Sequence, residues 1–99
     1  MDLKNILVNI GLNKKEASVY LAALELGASP ASDLAQRAKL NRVTTYDILD
    51  KLMHKGFISQ YTQHGTKIFS ATDPDAIRED YRNRYMNFKS ALPDFRSLS

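Results

Sequence analysis

The residues best equipped for chemistry lie together in the run Asn41-Arg42-Val43-Thr44-Thr45-Tyr46-Asp47. A guanidinium, a carboxamide, hydroxyls and one branched apolar side chain do not form an acid–base pair. They form a set of donors, acceptors and a methyl contact suited to phosphates and base edges. Arg42 can bond a guanine edge or a phosphate, Thr44 a base or a phosphate, and Val43 can touch a thymine methyl. Tyr46 carries a hydroxyl within phosphate range. Each also has a plainer reading: Arg42 as a solvated first-turn arginine, Tyr46 as a ring half-buried against the preceding helix. Thr45 falls on the core side and is left out.

Flanking segments supply further candidates for the same polyanion. Ser32, Gln36 and Arg37 precede the run, Lys39 lies in the turn leading into it, and Asn41 opens it. His64, Thr66 and Lys67 follow in a short polar loop. All are equally compatible with ordinary solvated surface. His54 and His64 have no metal-ligand spacing between them and no cysteine to help, so no metal site is expected. The chain has no phosphate-cradling glycine loop, no G-x-S-x-G and no H-E-x-x-H. Its acidic clusters, Asp73/Asp75 and Glu79-Asp80, read as helix-start charges that favour the dipole. An enzyme is not expected, nor is a cofactor.

The charge distribution agrees with a polyanion partner. The net charge of the 99 residues is +3. Residues 1–26 and 68–99 are each neutral, so the entire excess lies in residues 27–67, around the candidate run. With 43% hydrophobic and 25% charged residues, composition is that of one soluble globular domain. No cysteine is present, which fits a reducing cytoplasm. No apolar run approaches the ~18 residues needed to span a bilayer. The first residues lack a signal-peptide layout.

The elements that must position these side chains follow from periodicity. Leu3, Ile6, Leu7 and Ile10 predict a helix over residues 2–10, stopped by Gly11. Asn13 with Glu16 three residues later has capping-box spacing and starts a second helix; Gly27 ends it. Residues 31–38 predict a short helix with Ala31, Leu34, Ala35 and Ala38 inward. Lys39-Leu40 leaves room for a turn alone. Asn41 is a good N-cap for a helix over 42–55, with Thr45, Ile48, Leu49 and Leu52 on its core arc. Residues 57–62 and 67–71 are rich in β-branched and aromatic residues and flank Gly65, which predicts a hairpin. Asp73-Pro74 opens a last helix expected to run to about residue 91, ahead of Pro93.

Helix, helix, helix, tight turn, helix, hairpin, helix is a mainly α order with one small β-hairpin (α+β). The short turn makes a helix-turn-helix, and the hairpin after it is a wing, residues 60–67. The boundaries expected are a winged helix-turn-helix domain over 1–73, a C-terminal helix over 74–92 and a tail over 93–99. In a helix-turn-helix, the start of the second helix reaches bases in the major groove, and here that is the opening run. On the last helix, Ile77, Tyr81, Tyr85, Phe88 and Leu92 form an apolar seam. It packs back on residues 2–10, or pairs with a second copy; a chain this short has little spare core for five more large side chains, which favours the homodimer. A winged helix used as a protein-interaction module, without nucleic acid, is the alternative. Asp47 and Asp50 lend it some weight, but Arg42, Thr44 and the central basic excess weigh more on the side of DNA.

The stretches Leu12-Asn13-Lys14-Lys15-Glu16-Ala17-Ser18-Val19-Tyr20-Leu21, Leu26-Gly27, Ala31 to Ala38, Asn41 to Leu49, Leu52 and Lys55-Gly56-Phe57-Ile58 resemble the TrmB-type transcriptional regulators. The resemblance spans about residues 3–75, and its R-x-T-x-Y-D-x-L core with a trailing K-G-hydrophobic is fairly specific. It implies a prokaryotic, often archaeal, regulator that binds operator DNA as a dimer. It further implies a coiled-coil helix followed, in most relatives, by an effector domain, frequently for sugars. The helix is present here and the effector domain is not, so the resemblance implies either a DNA-binding fragment or a short stand-alone relative; a small-molecule effector belongs to the reading only if that domain exists. Lys39 stands where the family commonly has glycine, and Thr45 where valine is usual.

Overall fold

The computed structural model describes residues 1–99. Five helices and one hairpin occur in the order α1 (Leu3–Asn9), α2 (Lys14–Leu26), α3 (Ala31–Ala38), α4 (Arg42–His54), β1 (Ile58–Gln63), β2 (Thr66–Ala71) and α5 (Pro74–Leu98). The winged helix-turn-helix order expected from the sequence is therefore present. The core is a cluster in which Val19 and Tyr20 of α2, Leu34 of α3, and Ile48, Leu49 and Leu52 of α4 meet Phe57, just ahead of β1, and Ile58 and Phe69 of the hairpin. Thr45 lies inside as well, and its hydroxyl donates to the Asn41 carbonyl at 2.8 Å.

Local chemistry sets the helix ends. Asn13 accepts from the Glu16 amide while Glu16 Oε1 accepts from the Asn13 amide, both at 2.8 Å, completing the capping box. Glu16 is 1% exposed, and the same carboxylate oxygen accepts from Lys55 Nζ at 2.8 Å. Lys55 Nζ also donates to the Gly11 carbonyl at 3.1 Å. The Glu16–Lys55 pair thus gathers the end of α1, the start of α2 and the end of α4. At that last end, the amides of Gly56 and Phe57 bond back to Met53 and Leu52. This Schellman pattern needs a left-handed residue, which Gly56 supplies at φ 83°.

The hairpin is tighter than the sequence implied. Gln63 pairs with Thr66, leaving a two-residue loop, His64-Gly65. Both have positive φ, 50° and 75°, as a type I′ turn requires to match strand twist. Ser29 exchanges both backbone hydrogen bonds with Phe69, at 3.0 and 2.8 Å. The α2–α3 connection is thereby fastened to β2, a long-range pairing with no local sequence signal.

The last helix corrects the expected boundary. It does not end ahead of Pro93 with a tail over 93–99; it runs through Pro93 to Leu98. Proline removes one backbone donor, yet Lys89, whose carbonyl loses that partner, lies exposed to water. Phe88 and Phe95 stack across the interruption with centroids 5.1 Å apart. The seam also divides. Ile77 and Tyr81 pack against their own core, and the Tyr81 hydroxyl donates to the Ile10 carbonyl. They are therefore not free for a wholly intermolecular seam. Tyr85 and Phe88 lie beyond the domain edge, 62% and 59% exposed, and Leu92 is half-buried.

Two stability experiments follow. Glu16→Ala removes the cap and leaves the Lys55 ammonium without its partner. Urea denaturation should show a loss of about 2–3 kcal/mol, below the usual cost of splitting a buried pair because Lys55 can turn to water. Glu16→Gln, which keeps the capping acceptor, should lose less; a change under about 0.5 kcal/mol for the alanine variant would show that the node carries no stability. The phenol of Tyr20 donates to the Thr72 carbonyl at 2.9 Å, and burial, reinforced by the charge of Asp73, pushes its pKa up from 10.0. The fold holds the neutral form, so this stabilisation is complete below about pH 10 and falls as pH rises past the usual phenol range. Melting temperature should decline more steeply above that pH in the wild type than in Tyr20→Phe.

Candidate nucleic-acid interface

The start of α4 is built to present side chains rather than to bury them. Asn41 Oδ1 accepts from the Thr44 amide at 2.7 Å, which satisfies a helix-end donor. That oxygen is therefore committed to the cap, and of the Asn41 carboxamide the NH2 end is left for a ligand. With Thr45 inward, Arg42, Val43 and Tyr46 project outward and Thr44 lies at the margin. Val43 is 82% exposed, a poor position for a branched apolar residue unless a partner covers it.

The two largest of these outward side chains are braced. The Arg42 guanidinium lies over the Tyr46 ring, 5.8 Å from its centroid, a cation–π contact of about 0.5–1 kcal/mol at an exposed position. Tyr46 in turn meets Phe69 of β2 edge-on, with centroids 6.2 Å apart. The aromatic partner of Tyr46 thus lies on the wing strand. A chain of contacts runs from buried Phe69 through Tyr46 to Arg42, restricting the long arginine before any ligand arrives. Sequence reasoning did not assign Phe69 this supporting place, because strand β2 is distant in the chain.

One of the two carboxylates on the same helix is offset by a lysine. Asp47 pairs with Lys51 at 3.2 Å, and His54 Nδ1 lies 2.8 Å from the Asp50 carbonyl and 3.9 Å from its carboxylate. On α3, Ser32, Gln36 and Arg37 are exposed. Arg37, however, forms an ion pair with Glu25 of α2, so its charge is partly balanced and its fork is held towards α2. Both partners are about half exposed, which makes the pair weak and breakable. Glu25 carried no sequence signal for this contact, since it is 12 residues away. His64, Thr66 and Lys67 are exposed at the hairpin tip.

Lys39 resolves the turn between the two helices. It adopts φ 59°, ψ 43°, the left-handed region. The amides of Lys39 and Leu40 bond back to Gln36 and Ala35 at 3.2 and 2.9 Å, the same closure that Gly56 serves at the end of α4. A Cβ in this region costs roughly 1–2 kcal/mol, so the lysine is held there by its neighbours rather than by its own preference.

This arrangement has counterparts. Residues 7–75 match the model of the family described as "Sugar-specific transcriptional regulator TrmB". The HTH-type sugar sensing transcriptional regulator TrmBL1 of Pyrococcus furiosus is 34% identical over 77 residues, which make up 77% of this chain and 22% of that protein. Among solved structures, TrmBL2, an archaeal chromatin protein showing a novel mode of DNA binding, superposes with a TM-score of 0.74 at 23% identity, covering 96% of this chain and 38% of its own. The ST1889 protein of the thermoacidophilic archaeon Sulfolobus tokodaii superposes with a TM-score of 0.69 at 22% identity, covering 93% of this chain and 99% of its own. The present chain thus spans about a fifth of the curated relative it matches. The structural likenesses, all below 25% identity, establish the winged-helix fold.

Lys39→Gly tests the turn. Relief of the left-handed Cβ should outweigh the added freedom of the unfolded chain and stabilise the domain by about 0.5–1 kcal/mol. A destabilised variant in urea titration would show instead that the lysine side chain makes a contribution larger than its strain.

Proposed function

The chain belongs to the TrmB family of sugar-specific transcriptional regulators, and we propose that it supplies the duplex-DNA-binding part of such a regulator. In this reading the first turns of α4 enter the major groove. Arg42 meets a guanine edge or a phosphate, Val43 a thymine methyl, and Thr44 and Tyr46 base or backbone oxygens. Ser32, Gln36, Lys39 and the Asn41 NH2 contact phosphates on the flank, joined by Arg37 once it leaves Glu25. His64, Thr66 and Lys67 of the wing lie along the backbone or the minor groove. The observation that carries the reading is the Arg42–Tyr46–Phe69 brace, which holds a cation ready on the exposed start of a helix in the basic middle of the chain.

The same proposal gives the working unit as a homodimer joined through the part of α5 beyond the domain edge, acting in the cytoplasm. Two copies read two half-sites related by the dimer axis, which supplies the specificity that a single short helix lacks. The sugar sensing named for TrmBL1 belongs to a much longer protein. A small-molecule effector enters this reading only where further chain follows α5.

Fluorescence anisotropy with duplex genomic fragments should show binding that weakens steeply with salt, each neutralised phosphate adding about 0.9 to the slope of log K against log salt. Absence of binding at low salt would overturn the proposal. Against a selected operator, Arg42→Ala should weaken binding by about 1–3 kcal/mol if it reads a base. Lys39→Ala should weaken binding to any sequence and lower the salt slope by about one. An unchanged operator affinity in Arg42→Ala would remove that residue from the site.

A further inference from the structure

Two apolar surfaces of this chain are left uncovered by its own fold. The first is a groove of about 480 Å³ between α1, α2 and the start of α5, whose walls include Leu3, Ile6, Ile10, Leu24 and Ile77. Leu3, Ile6 and Leu24 remain substantially exposed along it, and α1 buries no residue completely. The second is the distal half of α5. Wound at about 100° per residue, Tyr85, Phe88, Leu92 and Phe95 fall in the same arc, about 80° wide, as Ile77 and Tyr81. The face that packs on the domain at Ile77 and Tyr81 therefore continues past the domain edge with nothing against it. At 25 residues α5 is about 37 Å long, and the molecule measures 53 × 29 × 23 Å. An unbroken helix cannot fold this distal face back onto the groove of its own copy.

Charge along α5 says which way a second copy lies. Residues 73–81 carry Asp73, Asp75, Glu79 and Asp80 against Arg78, a net of −3. Residues 82–99 carry Arg82, Arg84, Lys89 and Arg96 against Asp94, a net of +3. Parallel pairing sets like halves side by side; antiparallel pairing sets the acidic half of each copy against the basic half of the other, and opposes the helix dipoles as well.

We propose that the distal half of α5 of one copy seats in the α1–α2–α5 groove of a second copy, reciprocally, with the two helices antiparallel and the two-fold axis near Tyr85. This rests on the homodimer proposed above and adds its orientation and its seat. A two-fold interface requires that what one copy inserts, the other also inserts, and each chain carries one groove and one uncovered stripe. Centring the distal half (residues 85–98) on the groove wall of α5 (residues 74–81) puts the axis close to residue 85. Arg96 then approaches Asp73 and Asp75 of the second copy.

The chain has no cysteine, so single cysteines report geometry without background. Tyr85→Cys and Leu98→Cys both alter exposed positions and should leave the fold intact. With a short bis-maleimide, Tyr85→Cys should cross-link into covalent dimers, while Leu98→Cys, separated by about 39 Å in the antiparallel pair, should not. Leu24→Glu in the groove, and separately the double variant Lys89→Glu/Arg96→Glu, should each raise the dimer Kd at least tenfold by analytical ultracentrifugation. Leu98→Cys linking as readily as Tyr85→Cys would overturn the antiparallel pairing while leaving a dimer. An unchanged Kd in Leu24→Glu would overturn the groove as the seat. A wild type that stays monomeric in light scattering at high concentration would overturn the homodimer itself, and this arrangement with it.

Discussion

A buried carboxylate is the constraint on which the rest of the domain hangs. Glu16 lies within the protein with its charge answered by Lys55 and by the Asn13 amide. A charge in that position is tolerated only when it is answered by such partners, so the two groups that satisfy it have little freedom to move apart. Those groups come from the start of α2 and the end of α4, and Lys55 extends the hold to Gly11 after α1. The far end of the helix that presents Arg42 is thereby pinned to the scaffold. Its near end is tied to α3 by the Lys39 and Leu40 amides, which bond back to Gln36 and Ala35, and by the burial of Thr45. A helix fixed at both ends presents its exposed first turns at a defined angle.

The same economy governs the wing. Ser29 ties β2 to the α2–α3 connection through two backbone hydrogen bonds, and Phe69, paired there with Ser29, supports Tyr46 from inside. The hairpin therefore does two jobs. Its base stiffens the exposed face at the start of α4, while its tip, a two-residue turn at His64-Gly65, extends polar groups away from the core. Motion at the tip costs little, because the strands beyond the base are largely exposed. Motion at the base would disturb Phe69, Tyr46 and Arg42 together.

Helix α5 belongs to the domain at one end and leaves it at the other. Ile77 and Tyr81 complete the core, which explains why the helix starts where it does, directly after β2. Past Tyr81 the periodicity of the apolar face persists although no intramolecular surface remains to receive it. Persistence of a pattern beyond its local use is the physical reason for looking to another copy, and the division of charge along the helix restricts how that copy can approach.

Much of this was determined by the sequence alone. Helix periodicity, the Asn13/Glu16 spacing, the Asn41 cap, Gly56 and the Gly65 turn are local signals, and each acts through neighbours a few residues away. They are sufficient for the element order, for the winged helix-turn-helix and for the outward set Arg42, Val43, Thr44 and Tyr46. What the tertiary structure decided depends on residues distant in the chain. Lys55 reaching Glu16, Ser29 pairing with Phe69, Phe69 bracing Tyr46 and Arg37 turning to Glu25 are contacts that no local pattern encodes, because each is made when separate elements pack. The left-handed Lys39 is of the same kind: its own preference opposes that conformation, and the closure between α3 and α4 imposes it. Pro93 marks the limit from the other direction. As a local signal it argues for a helix end, yet an exposed backbone can leave one carbonyl to water, and the Phe88–Phe95 stack spans the position. Sequence settled which side chains face outward from α4; packing settled how firmly each of them is held.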